Sequence, residues 1–145
     1  SVAEVIQGLC TSRRVGANYL LNVGPDADGR VGEMETAILH MLGRWTAKYA
    51  RAIYEARPMP AVRCQGRDFV LRGRDGRIYY FAFDLHIEGD SHVTINHALP
   101  PHRAIDGLDA RVRSVRWLDR EESLAFTQSA DGGLMSVRLS GYPYG

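Results

Sequence analysis

The chain has 145 residues, 45% of them hydrophobic and 24% charged, a size and balance that suit one domain of roughly 100–200 residues with a real core. Its formal net charge of +1 supplies no field that would favour nucleic acid or an anionic membrane surface. No apolar run approaches the ~18 residues of a membrane-spanning helix, and Ser1 opens no signal-peptide pattern. Cys10 and Cys64 lie far apart, one in a helical pattern and one in a linker, and read as free thiols rather than a disulfide framework.

Ser1-Val2-Ala3-Glu4 has the spacing of a capping box, and Val2, Val5, Ile6 and Leu9 then recur on one helical face. Arg13 and Arg14 suit the negative end of that helix, and Gly16 is its natural stop. Asn18 to Gly24 is a short apolar run of strand length, broken only by Asn22, and it closes in the turn dipeptides Gly24-Pro25 and Asp28-Gly29. From Glu33, the residues Met34, Ala37, Ile38, Met41, Leu42, Trp45, Tyr49, Ala52 and Ile53 fall at helical spacing, as expected for a core-facing helix running to Ala56 and ended by Pro58 and Pro60. A strand flanked by two such helices is a piece of a parallel α/β layout, covered on both faces and in need of neighbouring strands that this sequence does not supply.

Beyond Pro60 the period becomes that of strands. Residues 68–72 and 78–83 flank Gly73-Arg74-Asp75-Gly76, a hairpin signal. Residues 93–95, 111–118, 124–128 and 134–139 read as further strands, the last two joined through Asp131-Gly132-Gly133. Short strands at this spacing argue for an antiparallel β-sandwich. Alternation selects Phe69, Leu71, Tyr79, Phe81, Phe83, Val93, Ile95, Val115, Trp117, Phe126, Val137 and Leu139 as its core and leaves Tyr80 alone on the outer face.

The wording of Gly16-x-Asn18-Tyr19-Leu20-Leu21-Asn22-Val23-Gly24-Pro25-Asp26-x-Asp28-Gly29-Arg30 resembles the last barrel strand and following loop of the α-L-fucosidases of glycoside hydrolase family 29. The resemblance implies an α+β chain. Two helices and one strand over residues 1–58 would be left from a (β/α)8 barrel, followed over residues 59–145 by an antiparallel β-sandwich domain. Family members read Asn-Gly near the end of the second helix, where this chain has the better helix formers Tyr49-Ala50. The implied parent is a retaining exo-glycosidase releasing terminal α-L-fucose from glycans, with no cofactor. Its compartment is not legible, since a leader would lie upstream of Ser1.

Retaining hydrolysis needs two carboxyl groups roughly 5–5.5 Å apart. The resemblance places the nucleophile, the acid/base and the fucose-gripping histidines on earlier strands, so no catalytic residue is expected here and the segment reads as structural. Asn22, Pro25 and Asp26 are the expected substrate-adjacent positions, because loops after barrel strands face the active site. Asp26 and Asp28 in a glycine-closed turn read as loop-shaping Asx groups. A calcium loop fails at its twelfth position, Ala37. His86, Glu88, Asp90 and His92, with His97 near, could hold a metal, but Glu88-Gly89-Asp90-Ser91 reads as a turn, and a solvated hairpin is the expectation. The aromatic residues of 79–83 and Trp117 read as core rather than as a sugar platform. Two readings stand beside the fucosidase one: a carbohydrate-binding sandwich module and an interaction domain without hydrolase activity. In isolation Tyr19–Val23 is expected to pair with its own sandwich edge or, preferably, with a second copy in a homodimer.

Overall fold

The structure, a computed structural model, describes residues 1–85, 87–88, 94–95, 101–139 and 142–143, the three dipeptides through their backbone. The chain is α+β, with two helices and small, mostly antiparallel sheets. It divides into two units, Ser1–Pro58 with Leu71–Tyr79, and Met59–Val70 with Tyr80–Gly145.

In the first unit, α1 (Val2–Arg14) begins with the expected capping box: the Ser1 hydroxyl accepts from the Glu4 amide, and the Glu4 carboxylate takes the Ser1 nitrogen in return. Gly16 follows at φ +75, the left-handed turn that ends the helix. The second helix, α2 (Glu33–Lys48), stops earlier than its apolar spacing suggests. A five-residue π-helical turn, Arg51–Glu55, takes over, and Ala56 opens strand β1 (Ala56–Pro58). The wider turn directs Ala52 and Ile53, 3% and 0% exposed, into the core. By contrast α2 itself has no buried residue, and Met34 and Met41 stand open to solvent.

Residues 17–24 differ from expectation. They join no ladder, and no backbone N–H from Asn18 to Gly24 reaches a backbone carbonyl among the described residues. The strand-like composition is there; a neighbouring strand is not among the described residues, and a parallel strand cannot satisfy its own backbone. Nor does the segment pair with any sheet edge of its own chain among the described residues. Tyr19 packs on α1 so closely that a Cβ on Gly8 would sit 2.7 Å from the Tyr19 hydroxyl. Leu20 is 82% exposed.

The hairpin forms as its turn chemistry requires. Strands β3 (Phe69–Gly73) and β4 (Ile78–Phe81) join β1 in the order β1-β3-β4. Gly76 takes φ +79, and the Asp75 carboxylate accepts from the Arg77 amide and the Tyr79 hydroxyl, each at 3.1 Å. The Arg77 amide, foremost, holds the Asp75 carboxyl below its ordinary range.

The second unit contains a four-stranded antiparallel sheet in the order β2-β7-β9-β8, made of β2 (Arg63–Cys64), β7 (His102–Asp106), β9 (Leu134–Arg138) and β8 (Phe126–Gln128). Cys64 therefore lies in a strand rather than a linker. Strand β7 was not foreseen: Arg103 and Ile105 occupy its inward positions, opposite Val137 and Met135, and a buried arginine disguises the alternation. Gly107, at φ +82, closes β7 against the β2 approach, where a Cβ would come within 2.6 Å of the Ala61 carbonyl oxygen. Residues 111–118 make no strand, only a single bridge from Arg116 to Ser123. A third small sheet runs β10 (Tyr142–Pro143), β5 (Ile87–Glu88), β6 (Thr94–Ile95), with β10 parallel to β5.

Of the foreseen core, Phe69, Leu71, Tyr79, Val137 and Leu139 are buried, while Phe81, Phe83, Val115, Trp117 and Phe126 are partly exposed. Val93 lies outside the described residues, as does the side chain of Ile95. Among the described residues no helix is long and apolar enough to cross a membrane.

Candidate functional site

The loop after the unpaired segment is built around one carboxylate. Asp26 Oδ1 accepts from the Asp28 amide at 2.9 Å and the Arg30 amide at 2.8 Å. The Asp26 amide donates to the Arg30 carbonyl, the Gly29 amide to the Asp26 carbonyl, and Pro25 bridges Val31. Gly29 sits at φ +79, which the tight return to Arg30 requires. Asp28 meets Arg30 at 3.6 Å on an exposed surface, a pair worth little. Asn22, Pro25 and Asp26 are all exposed. Tyr19 and Leu21 line a cleft against the helices, while Leu20 and Asn22 are exposed. Asn22 and Pro25 are thus exposed beside and on a turn whose carboxylate is already engaged.

The cleft, about 640 Å³, lies between α1, residues 17–21 and α2, with Leu9, Leu39, Leu42 and Ile53 among its apolar walls. Arg13 and Arg57 also line it. Arg13 donates from Nη2 to the Ala56 carbonyl at 3.0 Å, and its buried Nε–H has no acceptor. Nearby Cys10 is 4% exposed, and burial pushes its thiol up to about 11. The thiolate is the reactive form. At pH 8 an aromatic disulfide reagent should therefore label partly exposed Cys64 first, with Cys10 reacting only on unfolding. Equal labelling rates in the native protein would contradict this burial.

A polar network that the sequence reading missed sits in the second unit. Asp68 and Arg103, both 1% exposed, form an ion pair at 2.7 Å. Asp68 also accepts from the Tyr80 hydroxyl and from the Phe83 amide at 2.7 Å, while Arg103 Nη2 donates to the carbonyls of Phe83 and Asp84, each at 3.1 Å. Burial first, then the Asp68 carboxylate, pushes the Tyr80 phenol far above its usual value. Tyr80 is therefore not an idle outer-face residue. The available signal was the inward period of Arg103 and Ile105.

Phe69 stacks on Phe81 at 4.5 Å, and the Arg67 guanidinium lies 5.0 Å over the Phe83 ring. One face of each of these rings is thereby covered. Of the foreseen metal cluster, His86, Asp90, His92 and His97 lie outside the described residues, and Glu88 is described only through its backbone in β5.

Residues 1–51 match the family model described as alpha-L-fucosidase. Over this stretch the chain is similar to the α-L-fucosidases. The α-L-fucosidase of Dictyostelium discoideum is 31% identical over 93 residues, covering 61% of this chain and 20% of that protein. The tissue α-L-fucosidase of Homo sapiens is 36% identical over 56 residues, 39% of this chain and 12% of that one. Against solved structures, the α-fucosidase of Thermotoga maritima superposes with TM-score 0.67 at 23% identity, over 97% of this chain and 30% of that chain. A family 29 α-L-fucosidase of Bacteroides thetaiotaomicron gives TM-score 0.65 at 18% identity, over 97% and 29%. At such identities the structural likeness speaks for the fold alone. These relatives are glycoside hydrolases, and the chain spans about a fifth of the length of the Dictyostelium fucosidase.

Proposed function

We propose that this chain is the C-terminal part of a retaining α-L-fucosidase, acting on fucosylated glycans. Residues 1–58 would close its barrel and residues 59–145 would form its sandwich domain. The match of residues 1–51 to the fucosidase model carries the reading. The unpaired run of 18–24 supports it, since a last barrel strand separated from its neighbours would look so. In this reading Asn22, Pro25 and Asp26 stand beside the substrate, with Asp26 holding the loop that presents the other two. The nucleophile and acid/base belong to other parts of the enzyme, and this segment is structural. Alone, the same run is also where two copies would meet in a homodimer, Tyr19–Val23 antiparallel to itself across a two-fold axis.

The purified chain should not hydrolyse an aryl α-L-fucoside above a buffer blank. Turnover that survives repurification would refute the structural role. Sequencing the gene upstream of the Ser1 codon tests the parentage: an in-frame fucosidase barrel is expected, and a stop codon directly upstream would exclude it.

A further inference from the structure

Four aspartates of this chain are followed directly by glycine: Asp28, Asp75, Asp106 and Asp131. An aspartyl Cγ lies within reach of the next amide nitrogen, and a glycine there has no side chain to shield it. Attack by that nitrogen forms the N–Cγ bond. The carboxyl hydroxyl leaves with the amide proton as water, and a five-membered cyclic imide remains. Water then reopens the imide at either carbonyl. Opening at the α-carbonyl gives isoaspartate, whose main chain runs through the side-chain carbonyl and gains one methylene.

The glycine amides do not separate the three turn positions, since Gly29, Gly76 and Gly132 each donate to the carbonyl three residues back. The carboxyl groups do separate them. Asp75 accepts from the Arg77 amide and the Tyr79 hydroxyl, which fixes its side-chain torsion and keeps Cγ from turning. Asp131 is held in the same way by the Ser129 hydroxyl and the Gly133 amide. These bonds, foremost those from Arg77 and Ser129, hold both carboxyls below their ordinary range, in the ionised form that resists attack. Asp106 lies inside β7, paired with Arg63 on one side and Leu134 on the other, and Gly107 is pressed against the Ala61 carbonyl. Asp28 has none of these restraints. Its side chain is 72% exposed and meets only Arg30 among the described residues, at 3.6 Å. A Cβ on Gly29 would touch nothing within 4 Å, so a ring has room to form.

We propose that Asp28 is the site at which this chain spontaneously forms isoaspartate. The added methylene falls between the Asp28 and Arg30 amides, both now held by Asp26 Oδ1, and pushes them apart. The modification does not depend on the chain's activity; under the fucosidase reading it remakes the turn beside the substrate.

The test is to age the purified full chain in mildly acidic buffer, with a free peptide of residues 24–32 aged alongside. Isoaspartate is then mapped by digestion and electron-transfer fragmentation. Asp28 should convert about tenfold faster than each of the other three, the order expected when a hydrogen bond to a carboxylate must first break. The Arg30 amide resonance should move as the product accumulates, and in Asp28→Glu it should stay fixed. Tyr79→Phe keeps the ring but frees one oxygen of Asp75, so conversion at Asp75 should rise severalfold while Asp28 is unchanged. An unchanged rate at Asp75 in that variant would overturn carboxyl restraint as the cause. Equal rates at all four positions, or a faster one elsewhere, would overturn the assignment. An intact Asp28 under conditions that convert the free peptide would overturn it too, because the turn would then protect it.

Discussion

Arg103→Leu should lower the stability of the second unit by about 3–5 kcal/mol, the usual cost of stranding one member of a buried ion pair. Arg103 and Asp68 are each 1% exposed, so water cannot replace what is lost. The Asp68 carboxylate would keep the Tyr80 hydroxyl and the Phe83 amide, but its compensating charge would be gone. The carbonyls of Phe83 and Asp84 would lose their donor as well. An apolar replacement of both partners is often neutral in proteins. Here it should not be, because the pair also satisfies a phenol, an amide and two carbonyls. Urea denaturation of Arg103→Leu and of Asp68→Leu/Arg103→Leu measures both claims, and a loss below about 1 kcal/mol in the single variant would show the network to be dispensable.

Leu71→Ala is the second large effect, expected to cost about 2–5 kcal/mol. Leu71 is 0% exposed in β3, opposite Pro58 of β1, and truncation leaves a cavity in the core on that face of the sheet. Phe81→Ala should cost less than full burial would imply, since Phe81 is only partly covered and forfeits chiefly its stacking on Phe69. Thermal melts rank the two. If Phe81→Ala is the more damaging, β4 sits one residue out of this register.

The sequence was legible where local chemistry decides the outcome. Ser1 and Glu4 announce the α1 cap, and Gly73-Arg74-Asp75-Gly76 announces a hairpin that forms with Gly76 at positive φ. The fucosidase wording of 16–30 was legible for another reason: a turn that needs Asp26 to hold two amides and Gly29 at φ +79 tolerates few residue choices. Legibility failed where distant residues decide. Arg103 reads as a surface residue until Asp68, thirty-five positions away, supplies its counter-charge inside the sheet. The alternation of 111–118 reads as a strand, yet only Arg116 finds a bridge, because periodicity cannot report whether a partner edge is present. The 18–24 run shows the same failure from the opposite side. For the candidate site, the loop role of Asp26 followed from a short-range pattern, whereas the cleft with Arg13 and Arg57 depends on four separate stretches of chain and left no local mark.

The helix α2 carries a consequence for the life of the protein in a cell. Sixteen residues of helix without one buried side chain have little tertiary stabilisation, so local opening there costs far less than unfolding the whole. Arg44 and Lys48 sit in that helix, beside exposed Met41 and within reach of trypsin-like proteases and of chaperones that bind loose apolar segments. Made without a covering partner, the chain would be marked for turnover at α2 first. Quality control could thus sense the state of assembly through the susceptibility of a single helix to cleavage.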